Sequence, residues 1–268
     1  MRLLLAITAF LLISAAPEMA RAQASIADIE PWSLERMSEM GQAIARQDKA
    51  AIAAGERLRR AFDNADPPGV VGWIVVPDGQ AQRVRFLVER DGEPRAGWDV
   101  IVTGSRAGPV AAAPDTALSG DELAQFRARR TAAANVGPER CGRYNVFALR
   151  DPDSDDWLVW LLANANDLRA VPIDGHYRFR ISADGSTLLR RDRLSLHCAL
   201  HERSPGTVQM TLMSAGGTPP SEALSYVSIM YGFPIAVENS PTTFVVFDGA
   251  EAKEVTPRRR SPRRHRSS

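Results

Sequence analysis

The sequence predicts an α+β protein: an N-terminal helical hairpin, a β-meander, then a helix followed by a mainly antiparallel sheet with a late helix. Three observations carry this reading. Helical spacing of apolar residues is confined to stretches beginning near residues 33, 119 and 221. Between and after them run short β-branched and aromatic segments with polar alternation. Asp-Gly pairs at 78–79, 91–92, 184–185 and 248–249 punctuate those segments as turns.

Residues 1–22 read as a signal peptide. Arg2 precedes an apolar run over 3–16, too short to span a bilayer. Pro17 ends the run, and Ala20-Arg21-Ala22 and Ala22-Gln23-Ala24 offer small-x-small cleavage sites. The mature chain is then expected in the periplasm or secreted, with no transmembrane span after cleavage.

Residues 23–66 read as the helical hairpin. Leu34, Met37, Ile44, Ile52, Leu58 and Phe62 fall on helical spacing, and Asp48 sits where a second N-cap would interrupt the run. The meander occupies 67–103, with strands at 70–76, 84–89 and 97–102. The Gly/Ala/Pro-rich stretch 104–118 reads as a linker. An α+β domain spans 119–255. Ser119 and Glu122 form a capping box ahead of a helix whose buried stripe is expected at Leu123, Phe126 and Ala133. Strands follow at 145–149 and 157–163. Tyr177, Phe179 and Ile181 then alternate with His176, Arg178 and Arg180, so His176 is expected to face solvent. Strands at 194–200 and 208–213 precede a helix that starts at Pro220-Ser221 and stops at Gly232. Glu222 in its first turn suits the helix dipole, and strands at 235–237 and 244–247 close the sheet.

Charge is unevenly placed. Residues 256–268 form a basic tail carrying Arg258, Arg259, Arg260, Arg263, Arg264 and Arg266 and no acid. The segment 23–256 holds 25 basic and 31 acidic residues, so its net charge is −6. An acidic body is a poor nucleic-acid platform, and no nucleic-acid partner is expected. The tail has the composition of a disordered segment. An electrostatic tether to anionic lipid or lipopolysaccharide is the sharper reading of it.

Cys141 and Cys198 are the only cysteines, and in an oxidising compartment a disulfide is the default. On a strand at 194–200, Cys198 would point inward with Leu194, Leu196 and Leu200. His197 and His201 have metal-ligand spacing for a helix. On a strand they would stand roughly 13 Å apart, so a metal site there is a minority option. No Gly-x-Ser-x-Gly elbow, P-loop or complete dinucleotide fingerprint is present. No cofactor is expected, and no catalytic residue is assigned.

The segments "CGRYNVFAL", "WLVWLLA", "GHYRFRISADGSTLL", "HCALH" and "PSEALSYVSIMYGFPIAV" together resemble uncharacterised exported proteins of proteobacteria. The C-terminal half also faintly resembles the JAB/MPN metallopeptidase fold, on "PPSEALSYVSIMYGFPIAVENSPTTFVVF". The zinc-binding His-x-His pair of that family is absent before Ser221 and no Asp follows it, so the resemblance implies the fold without its metal chemistry. The functional expectation is a non-enzymatic exported protein in an interaction or envelope-structural role. The alternative is a hydrolase, such as a divergent JAB/MPN-like peptidase.

Overall fold

The computed structural model describes residues 29–137, 140–165, 170–204, 206–213 and 217–257. The signal segment 1–22 and the tail arginines Arg258, Arg259, Arg260, Arg263, Arg264 and Arg266 lie outside the described residues. The described chain is α+β, with three helices and mainly antiparallel sheets.

One unbroken helix, α1 (Leu34–Ala61), stands where a hairpin was expected. Ser33 caps it, accepting from the Arg36 N–H at 3.1 Å. Asp48 does not cap a second helix. It lies in mid-helix, 5% exposed, and one of its carboxylate oxygens accepts a hydrogen bond from Tyr226 on α3 (Glu222–Tyr231). The alanine-rich turns after it keep the helix running. Ile44, Ala45, Ala54 and Leu58 form part of the buried face, whereas Ile52, expected inside, is 48% exposed. Gly41 lets α3 approach, because a Cβ there would fall on the Ser225 side chain.

The meander is present as β1 (Val70–Asp78), β2 (Ala81–Arg90) and β3 (Glu93–Thr103), paired antiparallel in order. Asp91 and Gly92 both have positive φ (54° and 77°), as a type I′ hairpin turn requires. The stretch read as a linker is built into this sheet. It contributes β4 (Arg106–Ala107) and β5 (Ala111–Ala112), both on β3, and buries Ala113. Helix α2 (Gly120–Ala134) begins with the expected capping box: the Glu122 N–H donates to Ser119 Oγ, and the Ser119 N–H to Glu122 Oε2. Its buried apolar face is Ala124, Phe126, Ala128 and Ala132, while Leu123 and Ala133 are only half-buried.

The central sheet is ordered β10-β9-β7-β6, from β6 (Tyr144–Arg150), β7 (Trp157–Ala163), β9 (Tyr177–Ile181) and β10 (Leu188–Arg193). Every residue of β7 is buried. Trp160, Leu158 and Leu162 pack in the core that includes α1 and α3, and Val159 and Leu161 pack in the core under α2. A sheet covered on both faces explains a correction: His176, expected in solvent, is 1% exposed, and Arg178 is 2% exposed.

A two-stranded pair joins β8 (Ala170–Pro172) to β11 (Leu200–Glu202). The last sheet holds β12 (Met210–Leu212), parallel to β13 (Ile235–Ser240), then β14 (Thr243–Asp248) and β15 (Glu251–Val255). The chain thus adds one more strand after Asp248-Gly249 than expected. The expected strand at 194–200 is not formed: only Leu200 is in β11, and the Leu196 N–H bonds instead to Gly217 O. Cys198 is exposed rather than inward, yet the Cys141–Cys198 bridge is present, with Cα atoms 5.1 Å apart. Gly175 (φ 85°) passes so close to the bridge that a Cβ would meet Cys141 Sγ at 2.6 Å. No helix among the described residues is long and apolar enough to cross a membrane.

Candidate functional site

The buried charges are mostly paired with one another. Arg85 on β2 donates twice to Asp99 and once to Glu122, each at 2.9 Å, so the capping-box glutamate also ties the meander to α2. The hydrogen-bonded Asp99 carboxylate raises the Arg85 pKa further against its burial. Arg178 on β9 donates to Asp192 at 2.6 and 3.0 Å and to Glu222 at 3.3 Å. Glu222, read as a dipole partner, is 1% exposed and also accepts from Trp160 Nε1 at 2.8 Å. Asp151 is buried, but the Asp153 N–H and the Arg180 and Arg36 guanidiniums outweigh that desolvation and hold its carboxyl below the usual range. These arrays close on themselves, as a buried ion needs to.

His176 is likewise committed. The Ala163 N–H donates to its Nδ1 at 3.1 Å, and its Nε2 lies 2.9 Å from Pro172 O. This fixes the neutral Nε2–H tautomer. Burial lowers its pKa to about 4.

Asp48 departs from this pattern. Its Oδ2 accepts from the Tyr226 hydroxyl at 2.7 Å, and no lysine or arginine pairs with it among the described residues. Burial raises its pKa, with the Tyr226 bond opposing. Burial and the adjacent Asp48 charge push the Tyr226 hydroxyl up strongly, and burial and Asp48 raise Tyr231 too. Asn164 Nδ2 donates to Asn145 Oδ1 at 3.3 Å at the same pocket.

Asp48, Tyr226 and the two asparagines line a pocket of about 630 Å³, within the usual range for small-molecule sites. Trp73, Met230 and Tyr231 supply its apolar wall, and Arg203 stands at it as an exposed cation. Trp73 is held from behind by the Arg129 guanidinium, 3.9 Å from the ring centre, and desolvation lowers the Arg129 pKa to about 9.

A larger cleft of about 760 Å³ opens between the sheet edges β1 and β6. Gln125 Nε2 bridges those edges, donating to Val75 O at 3.2 Å and Ala148 O at 3.0 Å. Its charged groups are already engaged: Arg85 as above, and Arg150 with Asp121 at 2.5 Å while lying 4.0 Å from the Trp157 ring centre. The smaller pocket holds the uncompensated charge, and uncompensated buried charge is what singles out a site.

Cys141 and Cys198 are brought together. His201 on β11 approaches the buried Asp174 at 3.7 Å, and His197 is exposed outside any strand. No group of three or more His, Cys, Asp or Glu among the described residues is arranged to hold a metal ion. Sequence reasoning missed Asp48 as a site residue. The signal was its place one turn after Ile44, a charge on the buried stripe of α1. Comparison of the chain with protein-family models, curated proteins and solved structures found no match.

Proposed function

We propose that the chain is an exported, non-catalytic binding protein whose ligand occupies the Asp48 pocket. The observation that carries this is the buried Asp48 carboxylate, which has a hydrogen bond from Tyr226 and no cation. Burying an unpaired charge destabilises a fold, so its retention in a pocket is a mark of use. The signal-like N-terminus and the Cys141–Cys198 bridge support the compartment.

The lining favours binding over turnover. Among the described residues it holds one carboxylate and no histidine, cysteine, serine or threonine. A serine, threonine or cysteine nucleophile is therefore missing from it, as is the second carboxylate of a glycosidase pair. The hydrolase alternative on the JAB/MPN pattern draws no support from this pocket.

Thermal-shift screening of the mature chain against a metabolite extract tests the reading. A fraction that raises the unfolding midpoint of the wild type, but not of Asp48→Asn, is expected, with the ligand recovered chemically unchanged. A ligand recovered cleaved would replace the proposal with an enzyme. No stabilising fraction at all would remove the pocket as a binding site.

A further inference from the structure

We propose that the Asp48 pocket takes a small zwitterion of the amino-acid class, with its ammonium group on Asp48 and its carboxylate on Arg203. This rests on the pocket being the ligand site and narrows the ligand to one chemistry.

The first half follows from what Asp48 lacks. Asp99, Glu122, Asp151, Asp192 and Glu222 are buried carboxylates that each hold an arginine. Asp48 holds none. Tyr226 occupies Oδ2, and Oδ1 accepts no hydrogen bond among the described residues. The Tyr226 hydroxyl already commits its proton to Oδ2. What Asp48 leaves open is a carboxylate oxygen without a partner, and an N–H donor carrying positive charge would both bond it and hold the group ionised.

The second half follows from Arg203. This side chain is exposed at the same pocket and has no carboxylate partner among the described residues. Its contacts are Tyr231 O at 3.4 Å and the face of Phe233 at 5.3 Å. A guanidinium presents a planar fork of donors that matches a carboxylate. One pocket thus offers an unpaired anion and an unpaired cation.

Selectivity follows from the pairing of opposite charges. A simple amine would meet Asp48 but leave Arg203 repelling it. A simple acid would meet Arg203 and be repelled by Asp48. A ligand with both charges satisfies both, and mismatched charges are the repulsive element that specificity needs. Trp73, Met230 and Tyr231 then face the ligand's apolar or aromatic side chain. Leucine, methionine and phenylalanine carry the right combination.

Calorimetry on the full mature chain tests this with L-leucine, L-methionine and L-phenylalanine as probes. The controls are phenethylamine, 3-phenylpropionate and glucose. At least one amino acid should bind, and the amine and acid controls should bind at least tenfold more weakly. Arg203→Gln, at an exposed position, should weaken amino-acid binding about tenfold and leave phenethylamine no weaker than before. Asp48→Asn should abolish the preference for an ammonium group. Amine or acid binding equal to that of the amino acids, or amino-acid binding unchanged in Arg203→Gln, would overturn the zwitterion assignment. Binding of glucose alone, or of none of the probes, would overturn it too. The metabolite-extract screen separates the two failures: Asp48-dependent stabilisation by the extract without binding of any amino acid leaves the pocket reading standing and removes only its ligand class.

Discussion

The Arg178 guanidinium lies 3.8 Å from the centre of the Trp32 ring, so a residue just ahead of α1 seals the central ion array against β9. Its Nη2 also donates to Glu30 O at 2.7 Å, fastening the same segment. Replacing Arg178 by Gln leaves Glu222 buried without its cation and Asp192 with Arg190 alone. Removal of one partner from a buried pair typically costs about 3–5 kcal/mol. Denaturant unfolding of Arg178→Gln should show a loss of this order. A loss below about 1 kcal/mol would mean that the array contributes little to stability.

The His176 ring gives the fold an acid-side weakness. Its folded pKa, lowered by burial to about 4, lies below the 6.5 of an unburied histidine. Between those values the unfolded chain binds the proton and the folded chain does not. Stability therefore falls as pH drops from 6.5 toward 4, by roughly 3 kcal/mol at about 1.36 kcal/mol per pH unit of difference. Unfolding free energies at pH 7, 5.5 and 4, compared with His176→Gln, report it. An equal pH slope in both proteins would remove His176 as the source.

Much of the fold was legible because its signals are local. The capping box joins Ser119 to Glu122, only three residues apart, and the Asp91-Gly92 turn is set by its own backbone. What was misread depends on distant partners. Asp48 looked like a helix cap because Tyr226, which donates to it, lies 178 residues away. His176 and Arg178 looked like a solvent face because their cover comes from elsewhere in the chain, including Glu30 and Trp32. The Cys141–Cys198 pairing was readable from count alone, whereas the register of Cys198 failed with the strand it assumed. Arg203 carried no signal at all, since an exposed arginine near a short strand is ordinary in sequence.

The disulfide closes a sequence separation of 57 residues. In the chain-entropy account such a loop contributes about 4 kcal/mol, and measured bridges commonly give about 2–4 kcal/mol. Cys141→Ser with Cys198→Ser should unfold at correspondingly lower denaturant. Because Cys198 is exposed, a small reductant should also open the bridge without denaturant. Two thiols alkylated in natively exported, unreduced protein would contradict the bridge.

The six tail arginines follow a segment of net charge −6. If they tether the protein to anionic surfaces, deletion of residues 257–268 should abolish flotation with anionic vesicles. Binding by the full chain should weaken with salt, since screening acts over ~8 Å at physiological ionic strength. Equal flotation of both forms would remove the tether.

The central claim is that Asp48 is kept for a ligand rather than for the fold, and the stability of Asp48→Asn tests it most directly. Burial raises the Asp48 pKa, so the folded state holds that proton more tightly than the unfolded chain. The burial penalty therefore grows as pH rises. It lifts as pH falls through the raised folded value toward 3.8. Asparagine removes the charge and still offers Tyr226 an oxygen. The account predicts that Asp48→Asn unfolds at pH 7 with a free energy equal to or above that of the wild type. Its advantage should shrink toward pH 4, and its stabilisation by ligand should be lost. A loss of about 1 kcal/mol or more at pH 7, the scale of a broken hydrogen bond, would make Asp48 a structural residue and contradict the account.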